Sequence, residues 1–179
     1  MKIVILTVPH GKCLPEYDAK NHWCDLIAEE AARDLQVSLE DIGIETKLYI
    51  NDKVLRKEID MNRKKSRDRV YRKNLRKLVN SLRDENEVYV LDIHSFPGRK
   101  RLVDVYILDD KPKVDYAQAL ADEFDNAGIV NGGVLNGINN DIQDEMKEIG
   151  VKSTLIEFSE KLNNKKLKEI TKVIAKWDK

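Results

Sequence analysis

Histidine and cysteine are scarce in this sequence, and their scarcity narrows the chemistry open to it. Its 179 residues include three histidines, His10, His22 and His94, and two cysteines, Cys13 and Cys24. Any histidine-based site must draw on those three. Two cysteines do not make a disulfide framework, and with no export signal both are expected to be reduced, in a cytoplasmic protein. A net charge is also missing: 32 basic residues balance 32 acidic ones. Overall charge therefore gives no argument for nucleic acid or an acidic membrane as a partner. No apolar run approaches the roughly 20 residues of a membrane-spanning helix, so no membrane partner is expected. The start, MKIVILTVPHG, carries a short apolar run without a small-residue cleavage site after it, and reads as a first strand rather than a signal peptide. No internal repeat or interdomain linker is visible. The length and a hydrophobic content of 41% fit one domain, 1–179, with its own core.

What is present alternates between strands and helices. KIVILTV at 2–8 reads as a buried strand stopped by Pro9. From His22 to about Ile42, Trp23, Leu26, Ile27, Ala31, Leu35 and Leu39 recur at helical spacing, with Asn21 as N-cap and Gly43 as the C′ residue. ETKLYI at 45–50 alternates as a strand. A helix over 67–83 places Val70, Leu75, Leu78, Val79 and Leu82 on one face. The run at 88–93 is the central strand, and it delivers His94 towards the Pro97–Gly98 loop. A strand follows at 102–108, then a helix at about 114–127. The segment 128–138, with four glycines, reads as loop or short strand. A short helix at 140–149 ends at Gly150, the last strand is VKSTLIEF at 151–158, and a closing helix spans 163–177. This order predicts a three-layer α/β fold.

Open α/β sheets place their sites just beyond the carboxyl ends of their strands. His10 and His94 occupy equivalent positions there, each after a hydrophobic strand and before a glycine-containing loop. A catalytic zinc needs about three protein ligands and an open position. The third should be a carboxylate near the same strand ends. Asp25, read as lying in the first turn of the helix, is the first choice because a helix start is stiffer than a loop. Glu16 and Asp18 are the alternatives, and His22, three residues before Asp25, is a reserve ligand. Cys13 lies at a spacing from His10 that suits a metal, though a small loop thiol is the plainer reading. Glu157, near the end of an apolar strand, is costly there unless used or paired. A carboxylate beside a zinc-bound water is the expected general base. Asp92, two residues before His94, is placed to orient it.

One segment has an excess of one sign. Residues 63–77 hold Arg63, Lys64, Lys65, Arg67, Arg69, Arg72, Lys73, Arg76 and Lys77 against the single acid Asp68. A solvated helix face is the plainest reading. An anion clamp is the functional one, with Arg63 the best candidate because a guanidinium grips a carboxylate in a bidentate fork. A nucleic-acid surface finds little support, since Tyr71 is the only aromatic in the segment.

Five stretches in order, VPHG at 8–11, HWCDLIAEEA at 22–31, LRKEIDMNR at 55–63, LDIHSFP at 91–97 and LIEFSEKL at 155–162, resemble the N-formylglutamate amidohydrolase family. The resemblance implies a zinc-exopeptidase fold like that of carboxypeptidase A, a three-layer α/β/α sandwich with a mixed, mostly parallel sheet. It implies one zinc per chain held by His10, Asp25 and His94, with Glu157 as general base. It implies Asn62 and Arg63 as the grip on a substrate carboxylate. Arg56 and Asp60 match the same segment and either face the substrate or orient other side chains. The chain is short for that family, which leaves the substrate less defined than the chemistry.

The expected activity is zinc-dependent hydrolysis of a linear amide in a small acidic N-acyl amino acid or a peptide end. Two alternatives remain open at this point. One is a non-catalytic binding protein that uses the 63–77 basic face. The other is a peptidase or poly-glutamate hydrolase with the same site. The sequence sets no oligomeric state.

Overall fold

The computed structural model of the protein describes residues 1–13, 24–97, 105–108, 127–129 and 141–176. The chain order is β1 (Lys2–Val8), α1 (Ala28–Glu40), β2 (Glu45–Ile50), α2 (Val70–Arg83), β3 (Glu87–Phe96), β4 (Val105–Leu108), β5 (Ala127–Ile129), α3 (Asp141–Glu148), β6 (Lys152–Ser159) and α4 (Asn164–Ala175). The strands form one sheet in the order β2-β1-β3-β6-β4-β5. β2, β1, β3 and β6 run parallel, β4 is antiparallel to β6, and β5 is parallel to β4. This is the expected three-layer α/β architecture with a mixed, mostly parallel sheet.

Strand alternation sorts the core into two layers. Val4, Leu6 and Val8 of β1, Leu91 and Ile93 of β3, and Ile156 and Phe158 of β6 face α1 and α4, where Ala28, Ala31, Leu35, Leu39, Leu167, Ile170 and Ile174 meet them. On the other face Ile5, Val88 and Val90 pack against Tyr71, Leu75 and Val79 of α2 and Ile142 and Met146 of α3. With both faces covered, the inner strands read as continuous apolar runs. From β1 the chain crosses to β2 on one side, then returns past β1 to β3 on the other. The crevice between the carboxyl ends of β1 and β3 is thus the switch point at which α/β sheets bind ligands.

Several boundaries differ from those read in the sequence, and the reasons are local. β3 does not stop at residue 93 but continues to Phe96, because β6 goes on pairing with it through His94↔Glu157, Ser95↔Phe158 and Phe96↔Ser159. α1 begins at Ala28 rather than His22. The turn before it spends its amides elsewhere: Asp25 N–H donates to His10 O, Leu26 N–H to the Glu160 carboxylate and Ile27 N–H to Ser95 Oγ. The helix ends where Gly43, at φ +83°, donates its N–H to Glu40 O and Ile44 donates to Leu39 O. α2 begins at Val70, after a 3-10 turn at Lys64–Ser66. Ala127, read as the end of a helix, instead opens β5. Asn21 and the rest of the helix expected at 114–127 lie outside the described residues.

The expectation of two reduced thiols is overturned. Cys13 and Cys24 form a disulfide, with Cα atoms 5.3 Å apart. The bond from Asp25 N–H to His10 O, at 3.1 Å, draws the exit of β1 against the entry to α1 and brings the two cysteines within bridging distance. The cytoplasmic location inferred from reduced thiols loses that support. Among the described residues no helix is long and apolar enough to cross a membrane.

Candidate metal centre

His10 follows β1 by two residues, and the backbone there is tightly held. Asn51, at the end of β2, donates from its side-chain amide to Pro9 O at 2.8 Å and accepts from Val54 N–H at 3.1 Å. Gly11 leaves room for this approach, since a Cβ on it would lie 2.8 Å from Ile50 Cγ2. His94 lies within β3, with its side chain on the α2–α3 face. Asp25 comes from the turn before α1. All three side chains are buried. Both imidazoles present Nδ1 to the same oxygen, Asp25 Oδ2, at 3.1 Å from His10 and 2.7 Å from His94. The ring centroids are 5.0 Å apart, and one ligand atom from each of the three residues lies within 4.8 Å of the others.

Each imidazole is backed by a second carboxylate. His10 Nε2 lies 2.7 Å from Asp60 Oδ1, and His94 Nε2 lies 3.0 Å from Asp92 Oδ2. Asp92 and His94 are two residues apart on one strand and so share a face. Thr7, level with Asp92 on β1, donates to Asp92 Oδ1 at 2.6 Å. Asn62 donates its amide to Asp92 Oδ2 at 3.2 Å and accepts the N–H of Ile142, at the start of α3, at 3.1 Å. The two arginines of the same segment reach the carboxylates. Arg56 donates to Asp25 Oδ1 at 3.2 Å, and Arg63 Nε lies 3.2 Å from Asp60 Oδ2.

These contacts set the charge states. Burial pushes the Asp25 carboxyl up, but the charges and hydrogen bonds of His10 and His94 outweigh it and hold the group well below its ordinary value. Asp60 is likewise held low, burial being outweighed by His10, Arg56 and the Asn62 N–H. Burial disfavours a charged His94, yet Asp92 and Asp25 raise its pKa well above the usual value. Both nitrogens of each ring face carboxylate oxygens, and a neutral imidazole can donate from only one of them. With Nε2–H given to Asp60 or Asp92, each Nδ1 is left as a lone pair directed at Asp25 Oδ2. A proton or a cation must join them. Two nitrogen ligands and one carboxylate, with the outer nitrogens held by further carboxylates, suit zinc. With both rings neutral, the carboxylates of Asp25, Asp60 and Asp92 exceed the guanidiniums of Arg56 and Arg63 by one negative charge, which a proton or a cation between the rings offsets.

Glu157 lies on β6 directly across from His94 in the parallel register. Paired positions on neighbouring strands share a face and lie about 5 Å apart. Glu157 is buried, so the sheet places it beside the cluster without making it one of the three grouped ligands. Glu16, Asp18 and His22 lie outside the described residues. Asn62 is placed behind His94 rather than at an opening: its side chain is held by Asp92 and α3, and it is 3% exposed. Nothing in the local sequence pointed to α3 as its partner.

The basic segment is divided. Arg67 pairs with Asp141 and Glu148, Arg72 with Asp141 and Glu145, and Arg76 with Glu145. Arg72 is fully buried and also donates to Met61 O at 2.8 Å. These arginines fasten α2 and the turn before it to α3 behind the centre, whereas Lys64, Lys65, Arg69, Lys73 and Lys77 remain exposed. The pairing was hidden from the sequence because the acids lie some 70 residues away.

No family model and no curated protein matches this chain. Solved structures do match in fold. The Atu2144 gene product of Agrobacterium tumefaciens aligns over 97% of this chain and 87% of its own, at 16% identity and a TM-score of 0.65. The N-acetylmuramoyl-L-alanine amidase AmiC2 of Nostoc punctiforme aligns over 98% and 93%, at 11% identity and 0.57. The succinylglutamate desuccinylase of Chromobacterium violaceum aligns over 97% and 59%, at 11% identity and 0.59. At such identities the likeness establishes a shared fold.

Proposed function

We propose that this protein is a metal-dependent amide hydrolase related to the N-formylglutamate amidohydrolases, and that it cleaves an acidic N-acyl amino acid or a peptide end. The observation that carries this reading is the convergence of His10 Nδ1, His94 Nδ1 and the Asp25 carboxylate, with Glu157 in register beside His94. The names of two fold neighbours, an amidase and a desuccinylase of a succinylated glutamate, agree with amide cleavage and with an acidic substrate.

A zinc ion held by His10, Asp25 and His94 would supply Lewis acidity to an amide carbonyl and acidify a water. Glu157 takes the proton of the attacking water and returns it to the leaving nitrogen. Asp60 and Asp92 hold the two rings in the tautomer that keeps Nδ1 free, and Asn62 and Thr7 hold Asp92. We therefore assign Asn62 to positioning His94 rather than to gripping substrate. Arg63 and Arg56, both partly exposed, supply the positive charge that draws a substrate carboxylate and orients it.

Metal analysis with the Glu157→Gln variant tests this. The purified protein should carry about one zinc per chain, lost to a chelator together with amidase activity. Glu157→Gln should keep the metal and lose about 10²–10⁴-fold in turnover. A fully active Glu157→Gln enzyme would remove the role given to that residue. No bound metal, with strongly salt-dependent nucleic-acid binding, would favour instead a binding protein that uses the exposed lysines of 64–77.

A further inference from the structure

The residues that flank the candidate ligands are themselves cross-linked. Cys13 follows His10 by three residues, and Cys24 immediately precedes Asp25; they are joined across a sequence separation of 11. Asp25 is not in a helix. It sits in the turn before α1, whose first residues have no side-chain cap, so its position depends on what braces that turn. On the carboxyl side, Leu26 N–H donates to Glu160 Oε1 at 3.1 Å, and Ser95 Oγ donates to the same oxygen at 3.1 Å. On the amino side, the braces among the described residues include the hydrogen bond from Asp25 N–H to His10 O and the disulfide, whose Cys24 is 1% exposed. The covalent link therefore ties the backbone of one proposed ligand to that of another.

We propose that the Cys13–Cys24 disulfide is a positioning element of the metal centre, so that metal retention depends on its redox state. The proposal rests on the reading of His10, Asp25 and His94 as metal ligands. Paired, the cysteines hold the Asp25 turn against the segment carrying His10, and the three ligand atoms stay converged. A two-electron reductant such as a phosphine cleaves the S–S bond. Water supplies the oxygen of the phosphine oxide and the two thiol protons, and the chain is left with Cys13 and Cys24 as thiols. On that side the Asp25 turn then keeps the backbone bond to His10 without a covalent tie, and the carboxylate gains freedom to move Oδ2 out of line with the two Nδ1 atoms. Small displacements of this kind matter because a ligand set must be held to about 0.5 Å. A consequence is that the protein suits an oxidising compartment, where such a bond persists.

Zinc affinity of the full chain decides the matter, measured by competition with a chromophoric chelator. The oxidised protein is compared with protein reduced by a phosphine and desalted without oxygen. The Cys13→Ser/Cys24→Ser double variant is measured alongside, since it lacks thiols that could bind zinc themselves. Reduced protein and variant should both bind zinc about 10–100-fold more weakly, the range seen when a partner that orients a ligand is lost. Reoxidation of the reduced protein should restore the oxidised value, which a general loss of structure would not. If the double variant does not fold, reduction and reoxidation of the native chain give the answer alone. Equal zinc affinity in the oxidised and reduced protein overturns the proposal and leaves the metal centre standing. Failure of the oxidised protein to bind zinc removes the metal centre and the proposal together. Two free thiols in protein purified without reductant would also overturn it.

Discussion

Asp60 offers a direct probe of whether the histidines are held as metal ligands. Its Oδ1 faces His10 Nε2 at 2.7 Å and accepts Asn62 N–H at 2.9 Å; its Oδ2 lies 3.2 Å from Arg63 Nε. Asp60→Ala removes these three contacts, and the longer one to Arg56 Nε at 3.9 Å, from a side chain that is only 18% exposed. A hydrogen bond to a charged group contributes about 1.5–3 kcal/mol. If most of that is felt at His10, zinc affinity should fall by about 10–100-fold, the range typical when such an outer partner is lost. Asp60→Asn separates two parts of the effect. With its oxygen placed where Oδ1 is, asparagine still accepts from His10 and from Asn62 N–H. It presents an amide nitrogen to Arg63, however, and carries no charge. Its loss of affinity should therefore be the smaller one, about tenfold or less. The assay is competition against a chromophoric chelator at fixed pH, with circular dichroism to establish that each variant is folded. An Asp60→Ala protein that binds zinc as tightly as the native chain would refute the reasoning, because His10 would then need no partner on Nε2 to act as a ligand. An asparagine variant as weak as the alanine variant would show that the charge of Asp60, not the hydrogen bond, supports the site.

Two further substitutions test other parts of the structure. Arg63→Ala should raise the Michaelis constant for acidic substrates while leaving turnover of a neutral amide little changed; equal constants for acidic and neutral substrates in the native enzyme would argue against an anion clamp. Glu145→Ala leaves the fully buried Arg72 with Asp141, Ser66 Oγ at 3.4 Å and main-chain acceptors, and breaking a buried pair costs about 3–5 kcal/mol. At 2–4 °C per kcal/mol for a domain of this size, thermal unfolding should shift down by about 6–20 °C. A melting temperature that does not move would mean that Arg72 is adequately satisfied without Glu145.

The sheet was legible in the sequence because its inner strands are buried on both faces and read as unbroken apolar runs. The position of His10 followed from where the β1 run stops, whereas His94 lies past its apolar run but still within β3, because β6 goes on pairing with it; the pairing of Asp92 with His94 followed from the two-residue period of a strand. The turn at 24–27 was not legible. Leu26 and Ile27 fit the helical spacing of α1, and nothing in that spacing reveals that their amides go to Glu160 and Ser95, far along the chain. The cysteines were misread for a related reason. Count and spacing do not show whether two residues 11 apart meet; the backbone bond from Asp25 to His10 decides it. Asn62, expected to grip a substrate carboxylate, is buried against Asp92 and the start of α3, whose Ile142 N–H its side chain accepts.

These misreadings share a cause that bears on how the centre works. Each concerns a residue whose position is set by an element distant in sequence, and each such element braces one ligand from outside. Two proposed ligands come from strands β1 and β3 or their immediate exits, which the sheet holds on both sides. The third comes from a turn closed by the bond from Ala28 N–H to Asp25 O, whose other amides go to partners outside it. The braces are correspondingly unequal. The histidines each need one carboxylate behind the ring, whereas Asp25 takes two histidine nitrogens, the guanidinium of Arg56, a disulfide to its neighbour and a carboxylate cap on the following amide. If the centre loses its metal under reduction or strain, Asp25 is therefore the ligand expected to move first, and the histidines should keep their bonds to Asp60 and Asp92.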